Sequence, residues 1–245
     1  WKKWRSAKCA TSPFSSLFLL HPNLLASPRP ATAPSTLSAL HMAGRIVMTG
    51  TTGGLGSSVL SHLLRLRLFP PTSLIISLHN PSSTPSTSLE TRRGDLTDPT
   101  SLRAAFTGAD TLFLVSFPSI AYEERVNAHR NAIDACKAAG VKRVVYTSLA
   151  FGGLADDSVT EVMSAHLATE AYLKASGLEW IILREGIYAE SWSLYAGFLS
   201  LENGSEIVVP GDGGVAWVSR DDLGEATARI LARVCDSSLY VRPED

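Results

Sequence analysis

The chain has 245 residues, 45% of them hydrophobic and 18% charged, with a formal net charge of −1. That balance excludes an intrinsically disordered chain and a strongly basic nucleic-acid binder, so no direct nucleic-acid contact is expected. No apolar run reaches the ~18 residues of a membrane-spanning helix, and the three scattered cysteines, Cys9, Cys136 and Cys235, form neither a disulfide framework nor a metal motif.

Residues 1–41 differ from the rest, with five prolines, many Ser and Thr, and no acid. No Asp or Glu precedes Glu90, whereas the first 89 residues carry eight basic groups. Two readings stand. The segment is transit-like, being Ser-rich and acid-poor, or it is upstream read-through, since the first methionine is Met42 and a strand-like run follows directly. Residues 1–41 are therefore set apart as a non-core extension, and 42–245 are taken as one domain. The expected location is cytoplasmic, or mitochondrial if the extension is a true transit peptide.

From Met42 onward the pattern alternates. Arg45–Thr49 predicts a buried strand that ends in glycines. Ser57–Leu68 predicts a helix, stopped by Phe69-Pro70-Pro71. Ser73–Leu78 predicts a second strand. Pro81 to Ser88 is all Pro, Ser and Thr, which predicts a flexible loop. Thr91–Gly94 is a brief third strand. Asp98-Pro99 predicts a helix start, Asp as N-cap and Pro at the first helical position, running to Phe106 and stopping at Gly108. Thr111–Phe117 is the fourth strand, Ala121–Ala139 a long helix ended by Gly140, and Arg143–Thr147 the fifth strand. Thr160–Ser176 is a helix closed by Gly177, then Trp180–Arg184 a strand. Ser191–Leu201 and Asp222–Val234 are helices, and Leu239–Arg242 a last strand. Such alternation predicts an α/β fold, Rossmann-type and doubly wound, with a mostly parallel sheet. Ligands of such sheets bind beyond the carboxyl ends of the strands.

Gly50-Thr51-Thr52-Gly53-Gly54-Leu55-Gly56 lies between the first strand and the first helix. Its G-x-x-G-x-x-G spacing permits a tight turn, close approach of a pyrophosphate, and close helix–strand packing. Backbone N–H groups at the helix start then face the anion. This context makes the loop a dinucleotide site. An NAD site usually offers a carboxylate at the end of the second strand. Here that place is Leu78-His79-Asn80. His79 and Asn80 can donate to a 2′-phosphate, with Arg92 or Arg93 as helpers. NADP(H) is favoured and NAD(H) stays open. The alternative is that His79 is an ordinary exposed loop histidine.

With these residues the chain resembles the NmrA-like group of atypical short-chain dehydrogenase/reductases, and most of all its NAD(P)H:quinone oxidoreductase 2 branch. The marks are Thr49 to Gly56, Gly94-Asp95-Leu96-Thr97-Asp98, and His129 to Lys142. Tyr146-Thr147-Ser148-Leu149, His166-x-x-x-Glu170, Leu183-Arg184-x-Gly186-x-Tyr188 and Gly211-Asp212-Gly213 complete them. The resemblance implies that Asp95 and Leu96 border the adenine. It sets Ser116, Phe117 and Pro118 along the ribose and nicotinamide, and Thr147 and Ser148 near the substrate. Gly186 to Tyr188 edge the nicotinamide pocket. His166 falls where typical members carry the lysine of Tyr-x-x-x-Lys. Val162 occupies the tyrosine position, so the usual proton donor is missing. The resemblance also implies a C-terminal substrate lobe, expected here to be small and truncated, either because the chain is a fragment or because the lobe is reduced.

Ordinary carbonyl reduction needs a proton donor beside the hydride acceptor. Quinone reduction asks less of the protein, because the cofactor brings the hard chemistry. The sequence reading leans to an enzyme that reduces quinones or similar small electrophiles with NADPH. His166, Tyr188 and Ser148 are the catalytic candidates. His166 and Glu170 can equally be an i,i+4 pair on one helix face, Tyr188 a packing aromatic, and Ser148 a strand-end hydroxyl bonded locally. Phe117, Tyr188, Trp192 and Tyr195 suit stacking on a flat ring, or simple packing. The competing class is a dinucleotide-binding redox sensor that turns nothing over and contacts a protein partner. A homodimer is compatible with either.

Overall fold

Ile46-Val47-Met48 becomes the centre of the sheet because it is apolar on both faces. A computed structural model describes residues 44–83, 88–150, 160–195 and 217–235. These all lie in the unit Ser35–Asp245. The strands are β1 (Ile46–Met48), β2 (Leu74–Leu78), β3 (Glu90–Arg93), β4 (Thr111–Leu114), β5 (Arg143–Leu149) and β6 (Glu179–Glu185). They form one sheet in the order β3-β2-β1-β4-β5-β6, with every pairing parallel. This is the doubly wound dinucleotide-binding order, whose switch in direction falls between β1 and β4.

Side-chain alternation splits the core in two. Ile46, Met48, Phe113 and Val145 pack with α1 (Gly54–Arg65) and α6 (Arg220–Cys235) on one face. Val47, Leu112, Leu114 and Tyr146 pack with α2 (Pro99–Phe106), α3 (Tyr122–Ala139) and α4 (Glu161–Lys174) on the other. On the first face α1 and α6 are joined by His62 to Asp221 at 2.8 Å and Arg65 to Glu225 at 3.3 Å.

Most boundaries match the expected ones to within a few residues. The helix after the glycines begins at Gly54 rather than Ser57, because its first turn is built from the loop itself. Asp98 caps α2 as expected, its side chain accepting from the Ser101 N–H, with Pro99 at the first position. β4 ends three residues before Phe117, because Val115, Ser116 and Phe117 turn their N–H groups to side chains instead. The second, two-stranded sheet was not expected. It pairs β7 (Ile187–Tyr188) with β8 (Trp217–Val218), and two-residue strands leave no period to detect. The helix expected from Ser191 is described as α5 (Trp192–Tyr195). The rest of that helix, residues 84–87 of the expected loop, Gly211-Asp212-Gly213 and the expected strand at Leu239–Arg242 lie outside the described residues.

Candidate functional site

The carboxyl end of β1 runs into a backbone that only glycine allows. Gly50 adopts φ +68°, and a Cβ there would lie 2.8 Å from Val115 Cβ. The Gly53 N–H donates to Gly50 O at 3.0 Å and closes the turn. A Cβ on Gly56 would run into the Gly50 carbonyl. Thr51 is buried, Thr52, Gly53 and Gly54 are exposed, and Leu55 and Gly56 are buried. α1 has no side-chain cap and no acid in its first turn. Its positive end therefore faces outward, ready for an anion. A Cβ on Gly54 would run into the Arg220 guanidinium, so this cation lies against the loop.

At the end of β2 the exposed His79 sits with Nδ1 2.8 Å from Asp95 Oδ2. Asp95 Oδ1 accepts from the Thr97 N–H at 2.8 Å and hydroxyl at 2.7 Å. Burial pushes the Asp95 carboxyl up, but these bonds and His79 outweigh it and hold it below the usual range. Asn80 Oδ1 accepts from the Ser82 N–H, and Leu96 O accepts from Asn131. Arg92 is committed to Glu90 and to the Ala105 and Thr107 carbonyls, and Arg93 to Asp98. Both arginines are thus engaged with groups other than His79.

On the α3–α4 face the ends of β4 and β5 meet a closed polar network. His129 Nε2 accepts from the Phe117 N–H at 2.9 Å. The Nδ1 must then carry the proton of the neutral ring, and it donates to Thr169 Oγ1 at 2.8 Å. Thr169 in turn donates to Ala165 O. The Tyr146 hydroxyl lies 2.7 Å from His166 Nδ1, and Arg125 Nη1 lies 3.3 Å from His166 Nε2. Since arginine only donates, Nε2 is the acceptor and Nδ1 bears the hydrogen. Arg125 also donates to Ser116 Oγ and Ser119 O, each at 2.6 Å. Thr147 Oγ1 accepts from the Ser116 N–H at 3.0 Å. His129 is pushed down to about 3 by burial, then by His166 and Arg125. His166 falls to about 4 through burial, with Arg125 adding and Glu170 opposing. Both rings are neutral at neutral pH.

Ser148 Oγ donates to Glu170 Oε1 at 2.7 Å, and Arg184 grips the same carboxylate at 2.9 and 2.7 Å. Burial raises the Glu170 carboxyl, but Arg184 and Ser148 outweigh it. His166 and Glu170 thus bond to different partners rather than to each other. Ser148 is 1% exposed and His166 2%. Phe117 is half-buried, Pro118 and Trp192 are exposed, and the Tyr195 side chain lies outside the described residues.

On the α1–α6 face the ends of β6 and β7 carry a different group. The Tyr188 hydroxyl donates to Glu185 Oε2 at 3.2 Å. The Arg220 guanidinium lies 5.8 Å from the Tyr188 ring centroid and pairs with Glu190 at 3.4 Å. Burial pushes the Glu185 carboxyl up to about 8, opposed only by the Tyr188 bond. It also raises the Tyr188 phenol, with Glu185 adding.

Comparison with known proteins agrees with this geometry. A family model described as NAD(P)H-binding matches residues 50–233. The chain belongs to the NAD(P)H-binding family. It is 37% identical over 190 residues to an NmrA-like family domain-containing oxidoreductase of Aspergillus flavus, covering 76% of this chain and 61% of that one. It is 34% identical to quinone oxidoreductase 2 of Escherichia coli, covering 76% of this chain and 64% of that one. The crystal structure of Citrobacter sp. triphenylmethane reductase with NADP(H) superposes with a TM-score of 0.66 at 31% identity, over 77% of this chain and 65% of that one. The NmrA-like resemblance and the Rossmann-type sheet are borne out. The chain spans less than two thirds of the length of these relatives.

For a member of the NAD(P)H-binding family, the structure gathers the expected residues in three places. The glycines stand at α1, His79 with Asp95 at β2, and Ser116, Thr147, Ser148 and His166 around β5. Sequence reasoning assigned no site role to Arg125, His129, Tyr146 or Arg220. Their signal lay in burial: His129 and Tyr146 are 0% exposed, which a polar residue requires partners to sustain. Glu185 was left as an unnamed position between Arg184 and Gly186. No helix among the described residues is long and apolar enough to cross a membrane. Among those residues no cluster of three His, Cys, Asp or Glu suits a metal ion.

Proposed function

We propose that residues 42–245 bind NADPH and reduce a quinone or similar small electrophile by hydride transfer. The glycine loop carries this reading: its glycines let a pyrophosphate approach the backbone with the Arg220 guanidinium beside Gly54, and it opens a 12-residue helix with no side-chain cap. Gly50 to Gly56 hold the pyrophosphate, and Asp95 and Leu96 border the adenine. His79, oriented by Asp95, and Asn80 meet the 2′-phosphate. Ser116, Phe117, Pro118 and Thr147 line the ribose and nicotinamide, and Tyr188 edges the reacting end. When bound, the cofactor supplies a hydride. Ser148 and His166 position rather than react, because their polar atoms are already bonded inside the fold. The relatives support the substrate class, since they include a quinone oxidoreductase solved with NADPH and a triphenylmethane reductase solved with NADP(H).

One observation favours the sensor reading instead: every hydroxyl and imidazole of the β5–α4 network is bonded internally. The test is loss of reduced-nicotinamide absorbance on the full chain with a simple quinone, beside melting with NADPH or NADH. Turnover with a larger melting shift from NADPH is expected. Stabilisation without turnover favours the sensor, and a shift with NADH alone overturns the role given to His79.

A further inference from the structure

Alternation along β6 sends Ile181, Leu183 and Glu185 to one face, and the first two pack on the α1–α6 cluster. Glu185 is 5% exposed. Its Oε2 accepts from Tyr188, but its Oε1 has no hydrogen-bond partner. Among the described residues, the charged and titratable groups near it are few. β7 offers the Tyr188 hydroxyl. Beyond that ring stands Arg220 of α6, itself paired with Glu190 from the turn after β7. Arg184, its neighbour on β6, is turned to Glu170 on the opposite face. The carboxyl is thus a neutral acid at neutral pH, pushed up to about 8 by burial. With Oε2 accepting from Tyr188, the acid hydrogen falls on Oε1. A buried O–H with no acceptor is unfavourable, and it points to an acceptor that arrives from outside the protein. Tyr188 and Arg220 link this acid to the glycine loop, because the Arg220 guanidinium lies against Gly54.

We propose that Glu185 is the proton donor of the reduction, handing its carboxyl hydrogen to a substrate oxygen as the substrate accepts hydride. This rests on the reductase reading above. The Glu185 O–H bond breaks, its electron pair stays on the carboxylate, and an O–H bond forms on the substrate. The hydride from the reduced nicotinamide brings two electrons and the other hydrogen. A quinone then becomes a hydroquinone, the nicotinamide is oxidised, and the carboxylate regains a proton from water. The substrates that need Glu185 are therefore electron-poor carbonyl compounds whose product carries a new O–H. An acceptor cation that takes hydride on carbon needs no proton and no Glu185.

The test compares the full chain with its Glu185→Gln variant on two acceptors, a simple benzoquinone and a cationic triarylmethane dye. The variant should lose about 100-fold in kcat with the quinone and stay within about twofold with the dye. Its NADPH affinity should be unchanged. Wild-type quinone turnover should fall as pH rises through about 8, and this limb should vanish in the variant. Without cofactor, infrared spectra of the wild type should show a protonated carboxylic acid at neutral pH that the variant lacks. Wild-type quinone rates in Glu185→Gln, equal losses with both acceptors, a weakened NADPH affinity or a missing acid band each overturn the inference alone. A wild type that binds NADPH but reduces neither acceptor overturns the reductase reading itself, and this inference with it.

Discussion

Around the ends of β5 and β6 the two faces of the sheet treat polar groups differently. Behind β5, toward α3 and α4, the buried histidines, hydroxyls and carboxylate close on one another through Arg125 and Arg184. Toward α1 and α6 the glycine loop presents its backbone with the Arg220 guanidinium beside it, α1 has no side-chain cap, and one oxygen of Glu185 is unpaired. A closed network fixes geometry, because each member is already satisfied. An open one leaves donors for a ligand. The difference teaches that residue type alone misleads. His166 and Ser148 look reactive and are held, while Glu185 looks like a strand-end acid and keeps one oxygen unpaired.

The largest effect should come from breaking the closed face. Glu170 is 2% exposed and takes Ser148 and both Arg184 bonds. Removing one partner of a buried ion pair strands the other, so Glu170→Ala should cost about 3 kcal/mol of stability. Urea unfolding measures this, and NADPH affinity of the folded fraction should barely change. A stable variant with poor NADPH binding would break the division between the faces.

Gly56→Ala tests the open face. The new Cβ meets the Gly50 carbonyl, which is backbone and cannot swing aside. A loss of about 2 kcal/mol is expected for this overpacking. NADPH affinity should fall with it, read by titration of nicotinamide fluorescence. Unchanged affinity would separate the loop from the cofactor.

The Glu185 acid gives the two faces different responses to pH. Its folded value is raised from 4.5 to about 8. A raised value means the folded state holds the proton more tightly. The stabilisation is complete below 4.5 and is lost as pH rises to about 8. Across that window the wild type should lose stability relative to Glu185→Gln by at most about 1.4 kcal/mol per pH unit. Melting curves of both proteins at pH 5, 6, 7 and 8 read this slope. Parallel curves would mean that the acid is ionised and paired.

Much of this fold could be read beforehand, and the reasons are local. Gly50 to Gly56 announce a turn that only glycine tolerates, and Asp98-Pro99 states a helix start in two residues. Both signals are complete within a few positions. The closed network was hidden because its members come from β5, α3 and α4, far apart in the chain, and only the sheet order joins them. Glu185 was hidden for another reason. Its sequence neighbour Arg184 suggests an ion pair, but strand alternation sends the two side chains to opposite faces.

The smallest expected effect concerns His79, at the far end of the open face. Its ring is exposed and held by Asp95 at 2.8 Å, while Asp95 is fixed by two Thr97 bonds. The imidazole is therefore oriented but not enclosed, and exposed charge interactions are worth about 1 kcal/mol or less. His79→Ala should lower the preference for NADPH over NADH about fivefold, since about 1.4 kcal/mol is tenfold. Stability should hold, because the ring buries little. The two dissociation constants, measured side by side, decide it. An unchanged ratio would transfer the 2′-phosphate to Asn80 alone. A reversed ratio in Asp95→Asn but not in His79→Ala would mean that the carboxylate, not the imidazole, sets the choice of cofactor.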